Sequence, residues 1–502
     1  MMDFIDNILN GVTMYRLVLY YLAGLLVVAF LESFFGILPY DPAALAFSTI
    51  LLLASSWAAN AAFAYAFEAA PNVESVYITA LILALIISPV SSSDAAGIGF
   101  LVFAGVWAMA SKYIFAIGKK HIFNPAAFAV ALTAVALGQS ATWWVAGNYA
   151  LLPFVFFGGL LVVRKIQRFD LVLSFFAVAL VTTALTAGAG QAFTSLTQTF
   201  LHSAIFFFAF AMLTEPLTTP PDRSRRMLYG AVTGFFFAPN MHIGSYYFSP
   251  EVALLVGNLF SYVISPKGRF MLTLTRVEEA AKDTYDFVFK SDRPFYAFRP
   301  GQYVEWTLPH PYPDERGNRR YFTLASAPTR GQVRLGVKFY PKASTWKRAL
   351  SEMKEGDRLS VSHLAGDFVL PKDPKEKLAF IAGGIGITPF RSMVEYLVDR
   401  NERRDITLFY ANKTSADVAY GELLARAAPL GVRTIYSLSN ETAPGAVGAL
   451  TPELIKQHLP DYAERTFYIS GPHGMVESFT KTLRALGVSR WKIKRDFFPG
   501  FA

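Results

Sequence analysis

A helical membrane domain fused to a small β-barrel and an α/β domain is the fold the sequence predicts, and three features predict it. Apolar runs of membrane-spanning length fill residues 1 to about 265 and then stop. From Phe270 onward, apolar and polar residues alternate with the period of two of a strand. After Lys375, short apolar strands alternate with glycine turns and amphipathic helices, which is a βαβ pattern. The 502 residues therefore divide as 1–265, 270–372 and 374–502.

The formal net charge of +9 belongs almost wholly to the later part: the first 270 residues hold 12 Lys+Arg against 11 Asp+Glu, and the rest hold 34 against 26. The excess is spread out rather than clustered, so no nucleic-acid footprint is expected. No cysteine occurs. That excludes thiolate-held iron–sulfur clusters, Cys zinc sites, disulfides and a CxxC redox pair in this chain, and no metal site is expected. The first apolar run, Tyr15 to Leu38, is too long for a signal-peptide core and lacks a small-residue cleavage site.

A span needs about 20 mainly apolar residues. The candidates are 15–38, 43–67, 75–90, 96–117, 123–138, 148–164, 169–187, 197–214, 227–239 and 246–264, about ten in all. With the N-terminus inside, the far-side loops 39–42, 90–95, 138–147, 187–197 and 239–246 contain no Lys or Arg. All 12 basic residues of this half fall on the near side, from Arg16 and Lys112 to Lys267 and Arg269. An even count then returns the chain to the near side at 265, so both termini are expected in the cytoplasm.

A weak internal repeat is also visible. Phe123-Asn124-Pro125-Ala126 is echoed 125 residues later by Phe248-Ser249-Pro250-Glu251, and Ser88-Pro89-Val90 by Glu215-Pro216-Leu217. Five spans per repeat would invert the second copy, and proline-interrupted segments of inverted repeats are where membrane proteins place midplane sites. Asn124, Pro125, Thr214, Glu215, Pro216 and Asn258 are the membrane-domain candidates.

The segment Met212 to Pro220, with Arg225-Arg226 and Gly230 to Gly234, resembles the T-[DE]-P segment of a membrane family. That family comprises the B subunit of the sodium-translocating NADH:quinone reductase and the D subunit of the Rnf complex. Phe123 to Ala126 and Pro250 to Asn258 fit the same pattern. The resemblance covers about 15–265 and implies a ten-helix, inverted-repeat, urea-transporter-like fold that binds flavin and passes electrons. It also implies a bacterial inner membrane. The family carries FMN on the threonine of an S-x-A-T stretch. Here Ser203-Ala204-Ile205 lacks that hydroxyl, and Ser140-Ala141-Thr142 is the other, shorter match. A membrane flavin, FMN or riboflavin, is therefore expected to be held non-covalently, with a bound quinone as the alternative.

Haem is not expected. His121 and His242 sit in loops on opposite sides, which leaves His202 without a second axial ligand. Glu32 and Glu251 are the other polar features: a carboxylate within a membrane is expensive and often functional, unless it lies near an interface.

Three motifs carry the chemistry of the later part. In Arg320-Tyr321-Phe322-Thr323-Leu324-Ala325-Ser326, a guanidinium can clamp a pyrophosphate. Two residues on, on the same strand face, an aromatic ring can lie against another ring. Gly383-Gly384-Ile385-Gly386-Ile387-Thr388-Pro389 links a strand to a helix whose N-terminus can meet phosphate. Tyr468 to Met475, with Ser470, Gly471 and Pro472, is a second strand-to-helix turn. Each alone is equally an ordinary strand or turn.

In this order and spacing the three resemble the ferredoxin–NADP reductase superfamily over 270–502. Its R-x-[YF]-[ST] falls on Arg320, Phe322 and Thr323, and Ser326 closes the same segment. Its G-x-x-S segment is partly kept at Ser344 and Thr345, and its nucleotide turn falls on Gly383, Gly384, Gly386, Thr388 and Pro389. Its C-G-P-x-x-M falls on Ser470, Gly471, Pro472 and Met475, with serine for the usual cysteine. Its terminal E-x-F resembles Asp496 and Phe498, with Phe501 at the chain's aromatic end. The resemblance implies FAD, reduced by hydride from NADH or NADPH, with Thr323, Ser470, Asp496 and Phe498 as the catalytic set. Ser437-Leu438-Ser439-Asn440 offers no arginine for a 2′-phosphate, although Arg433 is near, so NADH is favoured.

The expected function is a membrane-bound NAD(P)H:FAD oxidoreductase that passes electrons to a carrier in a lipid-embedded domain and on to a quinone or extracytoplasmic acceptor. The alternatives are a membrane-tethered reductase and a urea-transporter-like transporter with a regulatory reductase module.

Overall fold

The computed structural model describes residues 12–67, 73–117, 120–265, 268–314, 317–341 and 343–496, with Ile5 and Leu9. It divides into two compact units, Met1–Gly268 and Arg269–Ala502.

The first unit is helical: α1 Met14–Phe34, α2 Pro42–Ala66, α3 Val73–Ile86, α4 Ala95–Ile114, α5 Pro125–Leu137, α6 Leu152–Ile166, α7 Phe169–Thr186, α8 Ala192–His202, α9 Arg223–Phe237 and α10 Pro250–Ile264. A short helix, Ile205–Phe207, follows α8 and widens into a π-turn at Phe208–Met212. Side-chain caps mark the starts, from Thr13 on α1 to Asp41, Asp94, Asn124 and Asp222, and Pro42, Pro125 and Pro250 sit in first turns, where their missing N–H costs nothing.

Helix occupies each of the ten apolar segments, but among the described residues only α1, α2, α4 and α7 are long and apolar enough to cross a membrane. The α8–Met212 pair, bent by 63°, makes a fifth if it is one span. Two helix ends fall before prolines: α3 ends at Ile86 just before Ser88-Pro89, and the π-turn ends at Met212 before Glu215-Pro216; the 63° bend itself lies at Ser203-Ala204. Hydropathy runs straight across such breaks, whereas a helix cannot continue into a proline.

The element order repeats. A two-residue-strand hairpin, Ala116–Ile117 with Lys120–His121, precedes proline-led α5, and a second, His242–Ile243 with Tyr246–Tyr247, precedes proline-led α10. As α4 packs on α2 and α5, so α9 packs on α7 and α10. The α7–α9 seam depends on glycine: a Cβ on Gly230 would lie 2.6 Å from Leu171 O, and one on Gly234 would lie 2.6 Å from Phe175 O. Small residues spaced by four let two helix backbones touch.

The second unit holds two six-stranded sheets. The first is antiparallel: β1 Phe270–Ala281, β2 Thr284–Ser291, β3 Tyr303–Thr307, β4 Arg319–Thr323, β5 Val333–Lys338 and β6 Arg358–Ala365, in the order β4-β3-β6-β1-β2-β5. Among the described residues no ladder joins edge strands β4 and β5; just past β4, the Ala325 N–H donates to Arg334 O in β5 at 2.9 Å. Trp306, Trp346 and Phe289 fill this core.

The second sheet is all parallel: β7 Leu378–Gly383, β8 Ile406–Asn412, β9 Val432–Leu438, β10 Ala446–Val447, β11 Thr466–Ser470 and β12 Ile493–Arg495, in the order β10-β9-β8-β7-β11-β12. Its central strands β7 and β11 are buried throughout, as a sheet covered on both faces requires. Helix α11 (Thr345–Ser351) follows β5, and α12 (Thr388–Arg400), α13 (Gly421–Ala427), α14 (Pro452–His458) and α15 (His473–Ala485) belong to the second layer.

Candidate functional site

In the parallel sheet, β7 and β11 are neighbours, so the turns at their C-terminal ends meet. This is the end at which open α/β sheets bind ligands. Gly384 holds φ at +52°, a left-handed turn that favours glycine, and opens a 3₁₀ turn, Gly384–Ile387, leading into α12. Gly386 lies against the other turn: a Cβ there would stand 2.5 Å from Ser470 C and 2.6 Å from Gly471 Cα. Gly383 is packed by Met475 and Pro472. Thr388 donates to Ile385 O at 3.2 Å, and Pro389 occupies the first turn of α12. Gly383, Gly384, Gly386, Thr388, Pro389, Ser470, Gly471, Pro472 and Met475 thus form one wall, with the α12 N-terminus facing out of it.

Asp496 joins the same wall. Ser470 Oγ donates to Asp496 Oδ2 at 2.9 Å, and the Asp496 N–H donates to Ile469 O at 2.9 Å. Burial pushes the Asp496 carboxyl up from 3.8 to about 7, against the opposing pull of the Ser470 hydrogen bond. A group with that value can hold or release a proton at neutral pH. Phe498 and Phe501 lie outside the described residues.

On the antiparallel sheet, β4 presents Arg320 and Phe322 with their expected alternation. Arg320 is 2% exposed. Its guanidinium donates to Asp314 Oδ1 (2.9 Å), Gly317 O (2.9 Å) and Arg319 O (2.7 Å). Phe322 leans on Trp346 at 5.2 Å, and Thr323 is buried, paired with Tyr303 across the ladder. Ser344 caps α11 by accepting the Lys347 N–H, and the Thr345 N–H donates to the second oxygen of Asp314. The Arg320 guanidinium and the Thr345 amide therefore converge on one anion, a carboxylate, which is a donor set that fits a phosphate group.

Ser326 differs from expectation. Its hydroxyl, 1% exposed, donates to Gln332 O at 2.8 Å and accepts the Arg334 N–H. In the structure the hydroxyl thus closes the 326–334 turn.

The two sheets are fastened beside these motifs. Ser392 Oγ donates to Ser326 O at 2.7 Å, the Ala327 N–H donates to Glu395 at 2.7 Å, and Arg391 bonds Ala325 O and Glu395. Tyr420 Oη donates to Asp286 at 2.6 Å. Helix α12 is thus locked to the chain leaving β4.

Arg433, weighed as a 2′-phosphate ligand, stands second in β9, at the end of the sheet opposite the glycine turn, where it bonds His458 O. Parallel strands put their N-terminal residues on the face away from the nucleotide end, so Arg433 is excluded. At the C-terminal end of β9, Glu441 is held by the Ser415 N–H and hydroxyl, both at 2.8 Å.

In the first unit, the sequence candidates converge on one buried polar cluster. Asn124 caps α5 by accepting the Ala127 N–H, donates its own N–H to Asn258 Oδ1 (2.8 Å), and donates through Nδ2 to Glu215 (3.0 Å). Pro125 is buried beside it, and Thr214 turns its hydroxyl back to Phe210 O. Three members were missed: His121, 3.0 Å from the other Glu215 oxygen; Thr218; and Tyr229, whose hydroxyl accepts Asn258 Nδ2 at 3.0 Å. The nearness of His121 to Asn124 was the one signal available. Pro216 ends the helix here.

Elsewhere Glu251, 2% exposed, accepts Trp143 Nε1 at 3.1 Å, which places it in the protein interior. His202 has a partner, Tyr149 Oη at 2.7 Å, in an open cleft of about 480 Å³ shared with Trp144. Thr142 accepts from Ser88.

Residues 147–267 match the NQR2, RnfD, RnfE family, 271–369 match the oxidoreductase FAD-binding domain, and 380–481 match the oxidoreductase NAD-binding domain. An NADPH oxidoreductase of Mycobacterium tuberculosis is 32% identical over 39% of this chain and 50% of its own length. A glycine betaine monooxygenase reductase subunit of Chromohalobacter salexigens is 25% identical over 44% of this chain and 61% of its own. The chain thus spans between half and about three-fifths of these relatives. The flavohaem-like FAD/NAD-binding domain of a Vibrio cholerae nitric oxide dioxygenase aligns over 46% of this chain and 98% of its own, at 22% identity and TM-score 0.41.

Proposed function

The chain joins FAD- and NAD-binding oxidoreductase domains to a membrane domain of the NQR2, RnfD, RnfE type, and we propose that it moves electrons from NADH into the membrane, through a carrier in the helical half, to a quinone or an extracytoplasmic acceptor. The observation that carries the reading is the fusion itself: a reductase and an electron-passing membrane type in one chain. FAD held there would supply the change from two-electron hydride chemistry with the nicotinamide to one-electron release. Arg320 and the Thr345 N–H would bind its pyrophosphate, and Phe322 and Thr323 would serve the ring. The two glycine turns orient the nicotinamide, and Asp496 with Ser470 holds a proton there.

The proposal keeps ten helices in two inverted sets of five, both termini in the cytoplasm of a bacterial inner membrane, and a barrel-like FAD sheet. A hydrocarbon core of about 30 Å needs an intermediate carrier. Without cysteine, a non-covalent FMN or riboflavin, or a quinone, is the choice, near Asn124, Glu215 and Asn258. The anchored Glu441 carboxylate repels a 2′-phosphate, which favours NADH over NADPH.

Inside-out vesicles should oxidise added NADH, at least roughly ten-fold faster than NADPH, whereas sealed right-side-out vesicles should oxidise neither. Equal rates from both orientations would overturn the topology. For Asp496, the rate of FAD reduction should follow a single ionisation near 7 that Asp496→Asn abolishes. Because folding raises this pKa, its stabilisation is complete below about 4 and is lost as pH rises through about 7. A mutant profile identical to wild type would remove Asp496 from the proton step.

A further inference from the structure

We propose that Asp314 sets the affinity of the flavin site by standing in for the cofactor's pyrophosphate when FAD is absent. The inference rests on the assignment of Arg320 to FAD. A guanidinium only 2% exposed needs a counter-anion, because a buried unpaired charge is costly. Two of its partners are carbonyl oxygens, Gly317 O and Arg319 O, and a carboxylate partner is Asp314 Oδ1 at 2.9 Å.

The second Asp314 oxygen accepts the Thr345 N–H at 3.3 Å, and the Asp314 N–H donates to Thr345 Oγ1 at 2.9 Å. His310 Nε2 adds a contact to that hydroxyl at 3.1 Å. A single carboxylate therefore occupies the Arg320 guanidinium and the Thr345 amide, both in segments that the family resemblance assigns to phosphate. The Asp314 side chain is 24% exposed against 2% for Arg320, so it closes the guanidinium off from the solvent side. It stands in the segment between β3 and β4, beside a left-handed turn at Gly317 (φ +65°), not within a ladder.

A phosphate and a carboxylate repel each other and cannot share the same donors. Binding FAD must then displace Asp314 from Arg320, and the lost ion pair subtracts from the affinity. The same contact keeps the flavin-free protein folded around its buried arginine.

The test uses full-length protein in detergent, stripped of flavin and titrated with FAD by fluorescence quenching. Wild type is compared with Asp314→Asn and with the smaller Asp314→Ser, either of which suffices if the other folds poorly. The neutral variants should bind FAD roughly ten-fold more tightly, the amount expected from one charge-assisted contact. Without flavin they should melt at lower temperature, so FAD should raise their Tm more than it raises that of wild type. Unchanged or weaker FAD binding by the variants, beside a wild type that binds FAD, would overturn the role of Asp314 alone. A wild type that binds no FAD would instead overturn the flavin assignment beneath it.

Discussion

Replacing Arg391 by methionine should destabilise the C-terminal half by about 3–5 kcal/mol, the cost of removing one partner from a buried ionic cluster. Arg391 is 6% exposed and stands between two buried carboxylates, Glu395 at 7% and Asp286 at 2%. It bonds Glu395 through both terminal nitrogens, at 3.1 and 3.3 Å, lies 3.8 Å from Asp286, and covers the Tyr420 ring at 5.0 Å. Methionine fills similar volume but leaves Glu395 with only neutral donors and the more exposed Arg330, 3.6 Å away. Denaturant unfolding followed by flavin release should show the loss. A change under about 1 kcal/mol, the scale of a surface pair, would mean that the cluster is not what locks α12 to β4.

Gly386→Val should be the most damaging change to the nicotinamide wall. The atoms a side chain would strike, Ser470 C and Gly471 Cα, are backbone at 2.5 and 2.6 Å and cannot rotate away. The β7 and β11 turns must separate, and a misplacement of about 1 Å at a reacting centre costs roughly 100-fold in rate. Stopped-flow reduction of FAD by NADH should slow by that factor while FAD content, governed by the other sheet, holds. A near-wild-type rate would show that the turns do not hold the nicotinamide.

Much of this was legible because local chemistry carried it. Arg320 and Phe322 had to share a strand face, Gly384 needed glycine for its turn, and Asn124, Glu215 and Asn258 lay in segments marked by the internal repeat or the family resemblance. What hid was long-range. Nothing near Tyr229 in the chain points to Asn258, and nothing near Asp314 points to Thr345; only the fold brings them together. Arg433 misled for the same reason, since closeness along a strand does not say which end of the sheet a residue occupies. A hydropathy window also averages across helix ends, so neither the stop of α3 before Pro89 nor the bend after α8 at Ser203-Ala204 could be read from it.

The central claim is that the helical half holds a redox centre of its own. The direct measurement is an anaerobic titration of purified protein with NADH, recording absorbance against a measured FAD content. The account predicts that more than one two-electron equivalent per FAD is consumed before bleaching is complete. If one equivalent suffices in protein that has kept its lipids and quinones, the helices carry no redox cofactor, and a tethered reductase or a transporter with a reductase module would replace the account given above.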